Sequence, residues 1–255
     1  MTAKTAVAVS SLALALVSAG CLSFYEVAVE TPIRAKLDVG PFQRVLVAGF
    51  VAGGTKNIDP NSETARLLRS QLRSKSELKV IDADVIELTD EFDRHRSKPL
   101  PPADKAADLL KVKDEKDIQE YEPILKDESY WKKVGDEYQS PLIITGSVLF
   151  TEVAKSGMVS RLRPYTDSMG RQQYEEAREF SSMKGYALTP KFVFIDGRTG
   201  AQLYAEGFYE EALYTDTQNT PALSSYFELM DKVLPAFLNT LSTQRIRGTR
   251  TLLVK

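Results

Sequence analysis

The chain carries one cysteine, Cys21, and one histidine, His95, in 255 residues. With one of each, no disulfide can close within the chain and no Cys/His zinc site can form, so the fold must stand on an apolar core. The composition suits that: 43% of residues are hydrophobic and 27% charged, as in ordinary globular chains. The length fits one large domain or two small ones. A net charge of -2 gives no bulk attraction to nucleic acid, so no nucleic-acid partner is expected.

The cysteine sits in a defined context. Met1 to Thr5 holds one positive charge, Lys4, and Ala6–Val17 is an uncharged run of 12 residues. Ser18-Ala19-Gly20 then leads into Cys21. A basic start, a short apolar run and small residues form the layout of a secretory signal. The run is short of the roughly 20 residues a membrane-spanning helix needs. Small residues directly before a cysteine resemble the bacterial lipobox, with Ser18 where that pattern usually has Leu. The resemblance implies a lipoprotein signal peptide over 1–20, lipidation of the Cys21 thiol with acyl chains such as palmitate, and a membrane anchor. Leu22 stands where Asp would favour inner-membrane retention, so the resemblance implies the outer membrane, with the body facing the periplasm. The alternative is a plain signal peptide cut nearby, leaving Cys21 a free thiol. Without 1–20 the chain has 235 residues, with 32 basic and 35 acidic, and no later stretch of 18 apolar residues.

Residues 22–41, with Pro32 and Pro41, read as a lipidated tether and lead-in (21–41). From 42 to 255 the pattern is that of one α/β domain with a mixed sheet flanked by helices. Val45–Phe50 and Leu142–Phe150 are short apolar runs, the latter reaching Val153, that read as buried strands. Asp59-Pro60 reads as a helix start, with an acid cap and proline at the first position. Ala65, Leu68 and Leu72 share one face of that helix and Arg66, Arg69 and Arg73 another, with an end near Lys75. Leu78–Ile81 reads as a second strand, and a helix starts within Asp84–Leu88. Ala103–Lys111 and Asp127–Tyr138 read as helices. Residues 155–182 read as a variable loop or exposed hairpin, with a disordered insertion as the alternative. Lys191–Ile195 and Ala201–Leu213 read as strands joined by the Asp196–Gly200 turn, with Leu203, Ala205, Gly207 and Tyr209 on one face. Thr220-Pro221 opens a long helix with Leu223, Phe227, Met230, Leu234, Phe237 and Leu241 as its stripe and Pro235 inside, where it should kink the helix. Thr251–Val254 reads as an edge strand.

Few constellations suggest chemistry. Gly49–Lys56 is close to a phosphate loop, but Lys56 follows Thr55 rather than a glycine, so the loop lacks its key order. A flexible turn is the plainer reading. His95 lies in Asp93-Arg94-His95-Arg96, whose arginines disfavour an imidazolium, and reads as a surface histidine. Glu175-Glu176 and Glu210-Glu211 are adjacent pairs, which point to opposite faces of a strand and cannot act as an acid/base couple. Phe208, Tyr209 and Tyr214 suit either sheet packing or a partner surface. No metal spacing, cofactor motif or catalytic residue is assigned.

Three segments resemble a group of envelope lipoproteins. Arg44–Phe50 resembles their first strand, with Gly49 in place of a usual Pro. Leu142–Val148 resembles their "Ile-Ile-Thr-Gly-Ser" strand, and Phe194–Leu203 their "Asp-Ala-Arg-Thr-Gly" hairpin. The group includes the curli secretion pore lipoprotein, the activator lipoprotein of penicillin-binding proteins, and the N-terminal domain of the Tol-Pal propeller protein. The resemblance implies an anticodon-binding-like α/β fold and a non-enzymatic protein that binds an envelope protein partner as an adaptor or assembly factor. A second expectation is a homo-oligomeric curli-type pore component, with 155–182 as its membrane hairpin. A third is a hydrolase using carboxylates alone.

Overall fold

The computed structural model describes residues 23–55, 57–95, 112–215, 218 and 220–254. The strands and helices are β1 (Ser23–Ile33), β2 (Arg44–Gly53), α1 (Pro60–Lys75), β3 (Lys79–Val80), α2 (Leu88–His95), α3 (Glu115–Glu120), α4 (Glu122–Leu125), α5 (Glu128–Glu137), β4 (Leu142–Thr166), β5 (Gln172–Asp196), β6 (Gln202–Gly207), β7 (Glu210–Thr215), α6 (Ala222–Leu241) and β8 (Gln244–Val254). They divide into two compact units. One is the β1–β8 pair, and the other spans Ala35–Ser242. The helix expected at Ala103–Lys111 lies outside the described residues.

The larger unit is α/β, with helices flanking a mixed sheet in the order β3-β2-β4-β5-β6 and β7 also paired to β5. β2 runs parallel to β3, to which the α1 crossover returns the chain, and parallel to β4. β4, β5, β6 and β7 are antiparallel neighbours. Strands covered on both faces must be apolar throughout, and β2 shows this. Val45, Val47 and Phe50 enter one core, while Leu46, Ala48 and Val51 enter the other. The switch in alternation comes from a bulge between Val47 and Gly49. Gly49 has a φ of 154°, and a Cβ there would lie 2.2 Å from the Ile86 carbonyl oxygen. Backbone packs directly against backbone at that point.

The first core joins the sheet to α1 through Ala65, Leu68 and Leu72, all fully buried. α1 begins as its sequence demands: Asp59 caps it, accepting from the Asn61 and Ser62 amides. Arg69, on the other face, reaches back to donate to the Val47 carbonyl at 2.8 Å. α6 covers the same side of the sheet. Its buried face runs through Tyr226, Leu229, Met230, Val233 and Phe237, with Phe237 4.9 Å from Phe192 between ring centroids. Each such ring contributes about 1.5–3 kcal/mol by leaving water. The expected stripe is shifted at its start: Leu223 is exposed and Tyr226 takes the inner place. A tyrosine fits there because its hydroxyl meets Thr64 Oγ1 at 2.5 Å. The helix runs on through Pro235. The second core, on the opposite face, holds Leu88, Ile118, Ile124, Trp131 and Val134 from the shorter helices. Trp131 is fully buried and donates its Nε1 proton to the Ile124 carbonyl at 2.8 Å.

Several elements differ from the sequence reading. The lead-in 22–41 contains β1, whose partner β8 lies more than 200 residues away in the chain. β8 is accordingly longer than the Thr251–Val254 segment expected. The helix expected to start within Asp84–Leu88 starts at its last residue. The single strand expected over Ala201–Leu213 is two, β6 and β7, which keep one register along β5 from Met183 to Phe194, with a shift between Phe194 and Ile195. The interruption faces Pro190. The Phe208 amide donates to the Pro190 carbonyl at 2.8 Å, but proline has no N–H to complete the pair. On β6, Ala205 packs toward the second core while Leu203 is exposed. The Asp196–Gly200 turn forms as expected. Gly200 has a φ of 79°, and its amide donates to the Asp196 carbonyl at 2.7 Å.

Candidate functional site

β4 and β5 stay paired for their full 25 residues each, from Leu142↔Asp196 to Thr166↔Gln172. Their inner halves are buried in the sheet and their outer halves are exposed. From Ser156↔Ser182 outward the hairpin is therefore a two-stranded arm, roughly 35 Å long at about 3.3 Å per residue. Among the described residues β4 has no second strand neighbour beyond Leu149, and β5 none from Gln172 to Ser182.

Alternation sorts the arm into two faces. On one stand Met158 opposite Phe180, Pro164 opposite Tyr174, and Leu162. Met158, Leu162, Tyr174 and Phe180 are all well exposed. Glu176 and Arg178 interrupt this apolar face. The other face carries Arg161, Arg163, Glu175 and Glu179, together with the exposed Val159 and Tyr165, and Arg163 and Glu179 are paired at 3.1 Å. The tip is a built turn. Asp167 accepts from the amides of Met169 and Arg171, both at 2.9 Å, and these bonds with the Arg171 side chain hold its carboxyl below the ordinary range. At the root, Lys155 pairs with Glu211 at 2.6 Å and Tyr209 donates to the same carboxylate. Hydrogen bonding raises Lys155 and lowers Glu211, so both stay charged at neutral pH.

A second feature is a cavity of about 640 Å³ at α2, α4 and α5, walled by Phe92, Tyr130 and Tyr138 with Glu91, Lys133 and Glu137. Burial, then the charges of Glu91 and Glu137, push the Tyr130 hydroxyl up to about 12. It stays neutral there at ordinary pH.

The residues singled out from the sequence scatter. Cys21 and Lys56 lie outside the described residues. Gly49–Gly53 belongs to β2, and α1 starts only at Pro60, so these glycines lie in the strand and not at the helix start. His95 ends α2, and its side chain lies outside the described residues. Glu175-Glu176 and Glu210-Glu211 each split across two faces of a strand. Phe208 packs on Phe192, with centroids 5.9 Å apart, and Tyr214 donates to Glu228 at 2.6 Å. Tyr209 is exposed. Among the described residues no group of His, Cys, Asp and Glu could hold a metal ion, and no helix is long and apolar enough to cross a membrane. The arm's two faces were missed in the sequence, although the alternation of Met158, Leu162 and Pro164 against Arg161 and Arg163 carries them.

The fold and the arm define the class: an α/β domain bearing an exposed amphipathic hairpin. No family model matches the chain, and no curated protein matches it either. Among solved structures it is similar to the lipoprotein GNA1162 from Neisseria meningitidis, at 12% identity and a TM-score of 0.35, over 77% of this chain and 98% of that one. It is also similar to a putative neuraminyllactose-binding hemagglutinin homolog from Helicobacter pylori, at 9% identity and a TM-score of 0.34, over 82% and 89%.

Proposed function

We propose that this chain is a non-enzymatic lipoprotein, anchored through Cys21 in the outer membrane and facing the periplasm, that binds another envelope protein with its β4–β5 arm. The observation that carries the reading is the arm's apolar face. Four large side chains, Met158, Leu162, Tyr174 and Phe180, stand exposed along one side of a ribbon, and a cluster of exposed apolar side chains marks an interaction site. Aromatic residues and methionine are the types enriched at protein interfaces. Glu176 and Arg178 on the same face favour a protein partner, which can pair them, over hydrocarbon, which cannot.

A photoactivatable residue at Leu162 or Phe180 in cells tests this. Adducts with one envelope protein from these positions, absent from Arg163 and Glu179 on the opposite face, are expected. Equal adducts from both faces, or none, overturn it.

A second reading, a pore-type oligomer, draws on the unpaired edges and on the arm's length. The arm reaches the roughly 9–11 residues that a spanning strand needs. Adducts between copies of this chain, with a multimeric mass in detergent, support that reading. A monomer removes it.

A further inference from the structure

The β1–β8 unit shows a second amphipathic ribbon, distinct from the arm. Its register runs from Ser23↔Val254 to Ile33↔Gln244. Alternation places Tyr25, Val27, Val29 and Ile33 on one face, sharing it with the register positions of Ile246, Leu252 and Val254. The only charged position there is Arg250, opposite Val27. The other face carries Glu26, Ala28 and Glu30 against Thr251, Thr249 and Arg247, with the register positions Phe24↔Leu253 and Pro32↔Arg245 at its two ends, and Arg247 and Glu30 are paired at 2.9 Å. Tyr25, at the Ser23 end of the apolar face, is 64% exposed, and Ile33 is exposed at the other end.

Cys21 precedes Ser23 by two residues, a reach of at most about 7 Å. The strands of an antiparallel pair lie about 5 Å apart. Wherever Cys21 points, then, both Ser23 and Val254 stay within about 13 Å of it. An acylated cysteine sits at the boundary of hydrocarbon and headgroups, a polar layer roughly 5–8 Å deep on each side. The ribbon therefore starts inside or against that layer. A ribbon held there with one apolar face gains by laying it on lipid, as amphipathic interfacial segments do. Tyrosine is a favoured residue at that depth, and an arginine can extend its charge to a phosphate.

We infer that the Tyr25–Val27–Val29–Ile33 face of the β1–β8 ribbon docks on a phospholipid surface beside the acyl anchor, as a second membrane contact made by the protein itself. This rests on the lipid anchor proposed above. The test attaches the full body from Cys21 onward, through the Cys21 thiol, to a maleimide phospholipid in phosphatidylethanolamine/phosphatidylglycerol vesicles that contain brominated lipid. Tryptophan is introduced singly as Tyr25→Trp, Val29→Trp, Glu26→Trp or Ala28→Trp. Trp131, fully buried, is the constant background. Tyr25→Trp and Val29→Trp are expected to be quenched at least about twofold more than Glu26→Trp and Ala28→Trp. Equal quenching on both faces, or none on either, overturns the docking. Because the coupling is chemical, the result does not depend on acylation in cells. Absence of palmitate label from the unsubstituted protein in cells overturns the anchor by a separate readout.

Discussion

Met158 and Phe180 stand directly opposite each other on the arm, one on each strand, and each is 65% exposed. Their contact contributes at most about 1 kcal/mol as a cross-strand pair, and burial in the body gives them nothing. The double change Met158→Ser with Phe180→Ser should therefore leave the stability of the body within about 0.5 kcal/mol, read by urea unfolding. The same variant should lose the adducts formed from Leu162. A large loss of stability would show instead that the arm belongs to the core.

The Asp196 turn should be visible in the acid limb of stability. Arg198 donates to both carboxylate oxygens, at 3.0 and 2.8 Å, and these bonds hold Asp196 below the ordinary carboxyl range. A lowered native pKa adds stability above the usual Asp value of about 3.9, and that stability is lost as pH falls through the native value. Arg198→Ala should lower stability at pH 6, and only modestly because the guanidinium is exposed. Its deficit should shrink as pH drops below about 4. Urea midpoints from pH 2 to 7 check this, and a constant deficit would place the effect in packing against Phe42, whose ring lies 5.0 Å from the guanidinium carbon.

What the sequence showed clearly was local. α1 could be drawn from residue 59 to 75 because its cap, its proline and its two faces all lie within a few turns. The Asp196–Gly200 turn was legible for the same reason. β1 was not. Its alternation of Tyr25, Val27 and Val29 becomes a strand only against β8, and two prolines obscured it. The split of Ala201–Leu213 depends on Pro190, a residue of the neighbouring strand. The arm's strands were hard to read because alternation is crossed by Glu176 and Arg178, which put charge on the apolar face. For the candidate site, the exposed segment 155–182 was visible in the sequence, but which residues face which way required the register.

Alkaline pH should weaken the body through two tyrosines. Burial pushes the Tyr130 hydroxyl up to about 12, and burial pushes Tyr226 up in the same direction. The folded state thus favours the neutral phenols. Their contribution is complete below the ordinary tyrosine value of about 10 and is lost as pH rises through the native values. Tyr226→Phe should cost about 1 kcal/mol at neutral pH, a modest loss because Thr64 keeps its bond to the Pro60 carbonyl at 2.5 Å. Combined with Tyr130→Phe, it should flatten the decline above pH 10 when urea midpoints are compared from pH 8 to 11.5.

Cys21→Ala separates the anchor from everything else. Acylation contributes about 0.8 kcal/mol per buried CH₂, so two chains hold a protein firmly where one does not. The variant should incorporate no palmitate, and the protein should move from the membrane pellet toward the soluble fraction. Its urea midpoint should not change, since Cys21 lies in sequence before both folded units' first strands. Any membrane fraction that remains should depend on the β1 ribbon and fall further with Tyr25→Ser and Val29→Ser. Palmitate labelling and fractionation of the same cells give both readings, and label persisting in Cys21→Ala would place the acyl group elsewhere.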